Sequence, residues 1–481
     1  MRLALFSIVA TLSFLAGCTS GGGGRDLGSD AAGEAAAPDL AASDAVEADP
    51  EPIDVPPSLD VVETPDAPTD PGPADFDVGP EANRSCVDGQ LPTGAFALLP
   101  DEPQSQIHAT LAFDGAAVWL AYDVPDPHSS YYDVRLARLW CDGSYATPPA
   151  RTHAGPLGND IDPTLAIGPS SALVVWTSDL GTSPVNMFVY ARGFGLDGTP
   201  LGDAERVLDL TVDGAAVQAF AWMPRVAALP DGTFAVVAQW ADPQAARFQV
   251  FLAHLAADGS LLPPLGGTVP GLVRIDPSPD VEQRYPDVAA RADGSLVVAW
   301  TASASATDAT VRWLTVAPDG TLSSPSAFAA GYTDGASLAA ATGEGAATYA
   351  AWFRQDPEGV VELTRLGDAQ GAVATFGVPL RADHSPLVVP GPGGGALAWY
   401  RTRTGYWSDL LVQGFSAAGA GLAATGQPLV VNPAEGTLQS HAAPAAYGPA
   451  LARVRDRVYL AAWSEGTSPD FALMGRFVEV P

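Results

Sequence analysis

Apolar positions along this chain fall in short, dense runs separated by polar turns, not in helical stripes. The stretch Pro286–Thr301, P-D-V-A-A-R-A-D-G-S-L-V-V-A-W-T, shows the unit. Val288–Ala290 is one apolar run, Asp293-Gly294 a turn, and Leu296–Trp300 a β-branched run closed by an aromatic residue. A D-G pair between two apolar runs is a strong hairpin signal, because tight hairpin turns need the positive φ that glycine adopts freely.

The unit recurs. Aligning on the aromatic residue that ends the second run gives Tyr122, Trp176, Trp240, Trp300, Trp352, Trp399 and Trp463. Each is preceded by a first-strand start: H-A-T-L-A (108–112), D-P-T-L-A (162–166), M-P-R-V-A (223–227), Y-P-D-V-A (285–289), G-A-S-L-A (335–339), S-P-L-V-V (385–389) and G-P-A-L-A (448–452). After the aromatic residue come a variable polar loop, a third strand and a second turn, as in V-R-L-A-R-L-W-C-D-G (134–143) and V-F-L-A-H-L-A-A-D-G (250–259). Repeats five and six carry Gln370-Gly371 and Ala418-Gly419 in place of D-G. A fourth strand follows, as in R-V-L-D-L-T (206–211) and P-L-V-V-N (428–432). Each repeat therefore reads as a four-stranded antiparallel meander of about 50 residues, and no stretch holds a helical period.

Seven such repeats predict an all-β fold, a seven-bladed β-propeller; a solenoid of stacked sheets is the alternative. The seventh repeat stops after its third strand, F-A-L-M-G-R-F-V-E-V (471–480), while an unassigned strand, A-F-A-L-L (95–99), precedes repeat one. Pairing the two closes the ring and covers an edge. Cys86 precedes the N-terminal strand and Cys141 ends the third strand of repeat one, so both fall on one face in neighbouring blades. An isolated cysteine pair in an exported protein reads as a disulfide.

Composition divides the chain into 1–17, 18–85 and 86–481. Residues 1–17 carry one charge, Arg2, before an apolar run too short to span a bilayer, which reads as a secretory signal. Residues 19–85 hold 16 acidic residues, two arginines and almost no large apolar side chains, the composition of a disordered, self-repelling tether. The rest, 86–481, is expected to be the propeller. It remains acidic within a total net charge of −32, which argues against nucleic acid as a partner. Every cationic residue is arginine.

The signal ends at Leu15-Ala16-Gly17-Cys18, which resembles a bacterial lipobox. In that lipoprotein family the cysteine becomes the mature N-terminus and carries lipid, so the resemblance implies that Cys18 anchors the chain in a membrane of the cell envelope. Thr19 in place of Asp implies, by the same resemblance, the outer membrane, on its periplasmic or outer side. The chain thus resembles a lipoprotein carrying a propeller of unassigned family, expected to be a monomer.

Strand order sorts the loops. Turns between strands one and two, and three and four, share one face with the tether; the longer loops between strands two and three and between blades share the other. Function concentrates on such loops. One candidate cluster is D-V-P-D-P-H-S-S-Y-Y (123–132), with His128, Tyr131 and Tyr132; another is R-T-R-T-G-Y-W-S-D (401–409), with Arg401, Arg403, Tyr406 and Trp407. Exposed Trp, Tyr and Arg carry much interface energy, and aromatic platforms suit sugar rings. A second candidate is a ring at the channel mouth, just before each first strand: His108, Asp160, Asp162, Tyr285, Asp334, His384 and His441. Such residues could act as acid and base or hold a metal, although their spacing matches no metal motif.

Sialidase-type Asp boxes, the WD dipeptide, calcium loops, G-x-S-x-G and HExxH are all missing from the sequence. The glycine cluster Gly391–Gly395 reads as a hairpin turn, not a phosphate loop. The expected function is therefore binding of a protein or glycan through the variable face, without catalysis or cofactor. The alternative is a hydrolase or lyase working at the channel mouth.

Overall fold

The computed structural model describes residues 84–481 except 88, 103–105, 127–130, 154–157, 180–186, 208–210, 213–214, 217–220, 243–246, 269–270, 277, 279–280, 306–307, 329–335, 342–346, 355–358, 367–369, 378–385, 403–407, 419–420, 433–448 and 468–469. Cys18 and most of the tether thus lie outside the described residues.

Seven antiparallel sheets of four strands follow one another along the chain. Their first strands are Ile107–Phe113, Asp160–Ile167, Ala221–Ala228, Glu282–Ala290, Ala336–Ala340, Leu387–Gly391 and Ala450–Arg455. Each first strand contacts those of both neighbouring sheets, the last contacting the first. The fold is a closed seven-bladed propeller, and the described residues contain no helix.

Its core is not one layer but seven, each between two neighbouring blades. Second strands are covered on both faces, which explains their unbroken apolar runs. In Leu296–Ser305, Val297 and Ala299 pack toward blade five, while Leu296, Val298 and Trp300 pack toward blade three. The seven aligned aromatic residues share one orientation. Tyr122, Trp176, Trp240, Trp300, Trp352, Trp399 and Trp463 all pack against the preceding blade. None is more than 5% exposed. Each is a plug for one seam of the ring, which is why the repeat retains it.

The ring closes as expected. Ala95–Ala97 pairs with Met474–Arg476 and supplies the outer strand of blade seven. This strand is shorter than Ala95–Leu99, although the Leu98 amide still donates to the Leu473 carbonyl at 2.9 Å. Cys86 and Cys141 form a disulfide, with Cα atoms 4.8 Å apart, inside the hydrophobic layer joining blades one and seven.

Gln106, 1% exposed, adds a polar latch to the same seam. Its Oε1 accepts the Leu473 amide at 3.0 Å, and its Nε2 donates to the Glu102 carbonyl at 2.7 Å. Gln283 repeats the device between blades three and four, accepting from the Val250 amide at 3.0 Å and donating to the Asp276 carbonyl at 2.9 Å.

Most D-G turns carry a third element that the hairpin signal alone does not include, a following Ser or Thr. Asp142, Asp197, Asp231, Asp258 and Asp293 each accept both the amide and the hydroxyl of the residue two positions on. These bonds hold the carboxyls of Asp197, Asp231, Asp258 and Asp293 below their ordinary range. One turn also explains a glycine. A Cβ on Gly193 would lie 1.8 Å from the Ala257 carbonyl oxygen, so blade two can approach the turn of blade three only without one.

The fourth strand expected over 206–211 is displaced. Among the described residues Glu205–Arg206 pairs with the third strand of blade two, the Val207 amide also donates to the Val189 carbonyl at 2.9 Å, and Thr211–Val212 pairs with Ala215–Ala216 in a separate two-stranded ribbon.

Candidate functional site

First strands of blades one to four share a backbone irregularity. Pairing with the second strand skips two residues, between Ile107 and Thr110, Ile161 and Thr164, Trp222 and Arg225, and Arg284 and Asp287. The skipped pairs are His108-Ala109, Asp162-Pro163, Met223-Pro224 and Tyr285-Pro286. Proline has no amide to give the ladder, so a bulge is how a strand accommodates it. The first residue of each skipped pair is left-handed, with proline after it in blades two to four and Ala109 in blade one: φ is 49° at His108, 60° at Asp162, 55° at Met223 and 52° at Tyr285. Such a conformation costs a non-glycine residue about 1–2 kcal/mol. Bulges re-aim side chains, and all four residues line a central cavity of about 820 Å³.

His108, Asp160, Asp162 and Tyr285 are therefore not ahead of the first strands but inside them. His108, Asp162 and Tyr285 line the cavity at the end where the variable loops lie. Asp160 does not. It is buried at the seam of blades one and two, where burial pushes its carboxyl up to about 7. Asp334, His384 and His441 lie outside the described residues.

Electrostatics at this mouth rest on buried pairs. His108 Nδ1 is 2.7 Å from Asp123 Oδ2; the His108 side chain is 13% exposed and that of Asp123 not at all. Burial works against the charged imidazole, but the Asp123 carboxylate outweighs it, helped by Asp162, and raises the His108 pKa. Oδ1 of Asp123 has no hydrogen-bond partner among the described residues. Asp162 Oδ2 accepts the Trp222 indole N–H at 2.6 Å. Asp287 accepts the amides of Val288 at 2.9 Å and of Leu338, in the next blade, at 2.6 Å. Burial raises its carboxyl to about 6, against the pull of Arg225.

Asp123, Trp222, Met223, Arg225 and Asp287 were not anticipated from the sequence. A usable signal existed for Asp123, a carboxylate directly after Tyr122 at a position that is uncharged in the other six repeats. No metal-binding group of three or more His, Cys, Asp or Glu occurs among the described residues.

The loop clusters are placed differently. Tyr131 and Tyr132 are half-buried on the rim of blade one; the Tyr131 carbonyl accepts the Asp126 amide, and the Tyr132 amide donates to Asn159. Arg401 is held in an ion pair by the buried carboxylate of Asp409. His128, Arg403, Tyr406 and Trp407 lie outside the described residues.

No protein-family model and no curated protein matches the chain. Among solved structures it is similar to a protein of unknown function from Dyadobacter fermentans, with a TM-score of 0.48 and 11% identity over 81% of this chain and 98% of that one. It is also similar to Trypanosoma rangeli sialidase in complex with sialic acid, with a TM-score of 0.41 and 10% identity over 68% of this chain and 55% of that one. A thermostable family-43 glycoside hydrolase gives a TM-score of 0.35 and 12% identity over 59% and 97% of the two chains.

Proposed function

We propose that this chain is a lipid-anchored protein of the cell envelope whose propeller binds a glycan end at the variable-loop mouth of its channel. The observation that carries the reading is the crescent His108, Asp162, Met223 and Tyr285, four strained residues turned onto one cavity by four successive bulges. Strain of this kind persists only where the surrounding structure over-determines it, and it clusters at ligand clamps. Carboxylate, imidazole and phenol groups beside an apolar lining match a sugar, which offers hydroxyls at its edge and C–H groups on its faces. The anchor would be lipid on Cys18, and the acidic tether would hold the propeller away from the membrane.

A second reading, a hydrolase or lyase, is favoured by the His108–Asp123 pair, since a buried carboxylate behind an imidazole at a cavity wall is the arrangement of a general base.

The test is a glycan array followed by calorimetry on the full chain and on Asp162→Asn and Tyr285→Ala. Asparagine tolerates the left-handed backbone, so Asp162→Asn changes charge without adding strain. Binding weakened tenfold or more in both variants supports the reading. Equal binding by wild type and variants removes it, and turnover of a bound glycan lost in His108→Asn would establish the second reading instead. Labelling with a radioactive fatty acid, absent in Cys18→Ala, tests the anchor.

A further inference from the structure

The first described residues, Arg84–Cys86, fasten to blade one, not to blade seven, whose outer strand the chain goes on to supply. The Arg84 carbonyl accepts the Cys141 amide at 3.2 Å, and its guanidinium lies 3.7 Å from the Asp142 carboxylate. Both partners sit at the turn between strands three and four of blade one. The Cys86 amide donates to the Ala116 carbonyl at 3.3 Å, in the turn between strands one and two. The disulfide to Cys141 makes this attachment covalent. Only beyond it does the chain cross to blade seven, where Arg455 donates to the Val87 carbonyl at 3.2 Å and Ala95–Ala97 pairs with Met474–Arg476.

The bridge closes residues 87–140 into a covalent loop. That loop holds the closing strand of blade seven and the first three strands of blade one, Ile107–Phe113, Val118–Pro125 and Tyr132–Leu139. Tension arriving along the chain from its N-terminal side therefore passes from Cys86 to Cys141 through the sulfur atoms, and the backbone of residues 87–140 is bypassed. The strands that take the load differ accordingly. Without the bridge, tension enters Ala95–Ala97, held by three residue pairs to one neighbour. With it, tension enters the end of Tyr132–Leu139, held by eight pairs to strand two and by four to strand four. Bonds along a strand pulled lengthwise share the load, so the inner strand resists more. Both cysteines are buried, at 0% and 2% exposure, which keeps outside thiols from the bridge while blade one is folded.

We propose that the Cys86–Cys141 bridge is a load-bearing clamp, which takes tension on the N-terminal tether into blade one and keeps it off the closing strand of the ring. Its use in the cell rests on the anchor reading above, since lipid on Cys18 is what would put the tether under tension. The load path itself does not depend on that reading.

Optical tweezers on the full chain, held by handles at its two ends, test it. In oxidised wild type the first rupture should be of a strand held by a long ladder, such as Asp470–Glu479 with its ten pairs to strand two of blade seven, and no short step precedes it. In Cys86→Ser/Cys141→Ser a short step comes first, at most roughly 70 Å long, the reach of residues 87–106. At the force where it appears, the oxidised protein should last at least tenfold longer. The later steps of the variant should keep wild-type forces, which shows that the rest of its ring is folded. Wild type unfolded, reduced and relaxed with reductant present makes the same comparison without substitution. Its full extension should also grow by roughly 190 Å as the loop opens, at about 3.5 Å per residue. A short first step in the oxidised protein, or none in both the variant and the reduced wild type, overturns the proposal. Failure of the fatty-acid label strikes the anchor reading alone.

Discussion

His108 Nδ1 lies 2.7 Å from Oδ2 of Asp123, a carboxylate with no solvent-exposed surface, and the imidazole carries that buried charge to the wall of the channel. The pair joins two places the chain separates by 15 residues. It sets the protonation of the one described histidine that lines the channel.

Because the folded pKa of His108 is raised above its ordinary 6.5, the imidazole contributes stability that is present below pH 6.5 and is lost as pH rises through the folded value. Burial also raises the Asp123 carboxyl to about 6, against the pull of His108, and that group's own share falls as pH rises from about 4 to about 6. Removing the carboxylate as a charge in Asp123→Asn should bring the imidazole titration down, followed by the His108 ring proton in NMR. An unchanged titration would show that Asp123 does not govern the imidazole.

Asp160 should respond to pH in a separate window. Its folded pKa of about 7 exceeds the ordinary carboxyl value, with burial as the main cause. The folded state thus holds a proton that the unfolded state has released, and stability falls as pH rises from about 4 to about 7. Asp160→Asn is neutral throughout and should be more stable than wild type at pH 8, by on the order of 2–4 kcal/mol at about 1.4 kcal/mol per unit. Denaturant titrations at pH 5 and pH 8 check this; parallel loss of stability in both proteins would refute it.

The Cys86–Cys141 bridge joins residues 55 apart across the closing seam. Loop entropy alone predicts a loss of about 4 kcal/mol when both are changed to serine. Hydrogen exchange should then rise first at Ala95–Ala97 and its partner Asp470–Glu479, since these strands hold the ring shut. Uniform exchange around all seven blades would argue that the seam is held by packing, not by the bridge.

Gln106→Leu keeps the size of the latch but leaves the Leu473 amide and the Glu102 carbonyl without their partner. A buried amide left unpaired costs about 1–3 kcal/mol. Gln283→Leu should behave alike, because it makes the same two kinds of bond between blades three and four. Chemical denaturation measures both, and a neutral result in either would remove the latch role there.

Much of the architecture was legible because a propeller repeats one local rule. Each second strand is covered on both faces, so it must be apolar throughout and end in a large plug, and Trp300 and its relatives mark every seam in the sequence. D-G turns and the orphan strand near Ala95 added the hairpins and the closure. The Ser or Thr two positions after the Asp of those turns is equally visible in the sequence.

The site was legible only in outline. His108, Asp162 and Tyr285 stood out by residue type and by position at the strand starts, yet proline after Asp162 and Tyr285 was the overlooked mark of the bulges. By itself, then, the sequence determined the repeat, its copy number and the closing strand, because burial and turn chemistry act between near neighbours. Only the tertiary structure decided which charges meet. Asp162 on Trp222 depends on blades two and three sharing one channel, and Asp123 behind His108 on the bulge between Ile107 and Thr110, neither of which the local hydrophobic pattern marks.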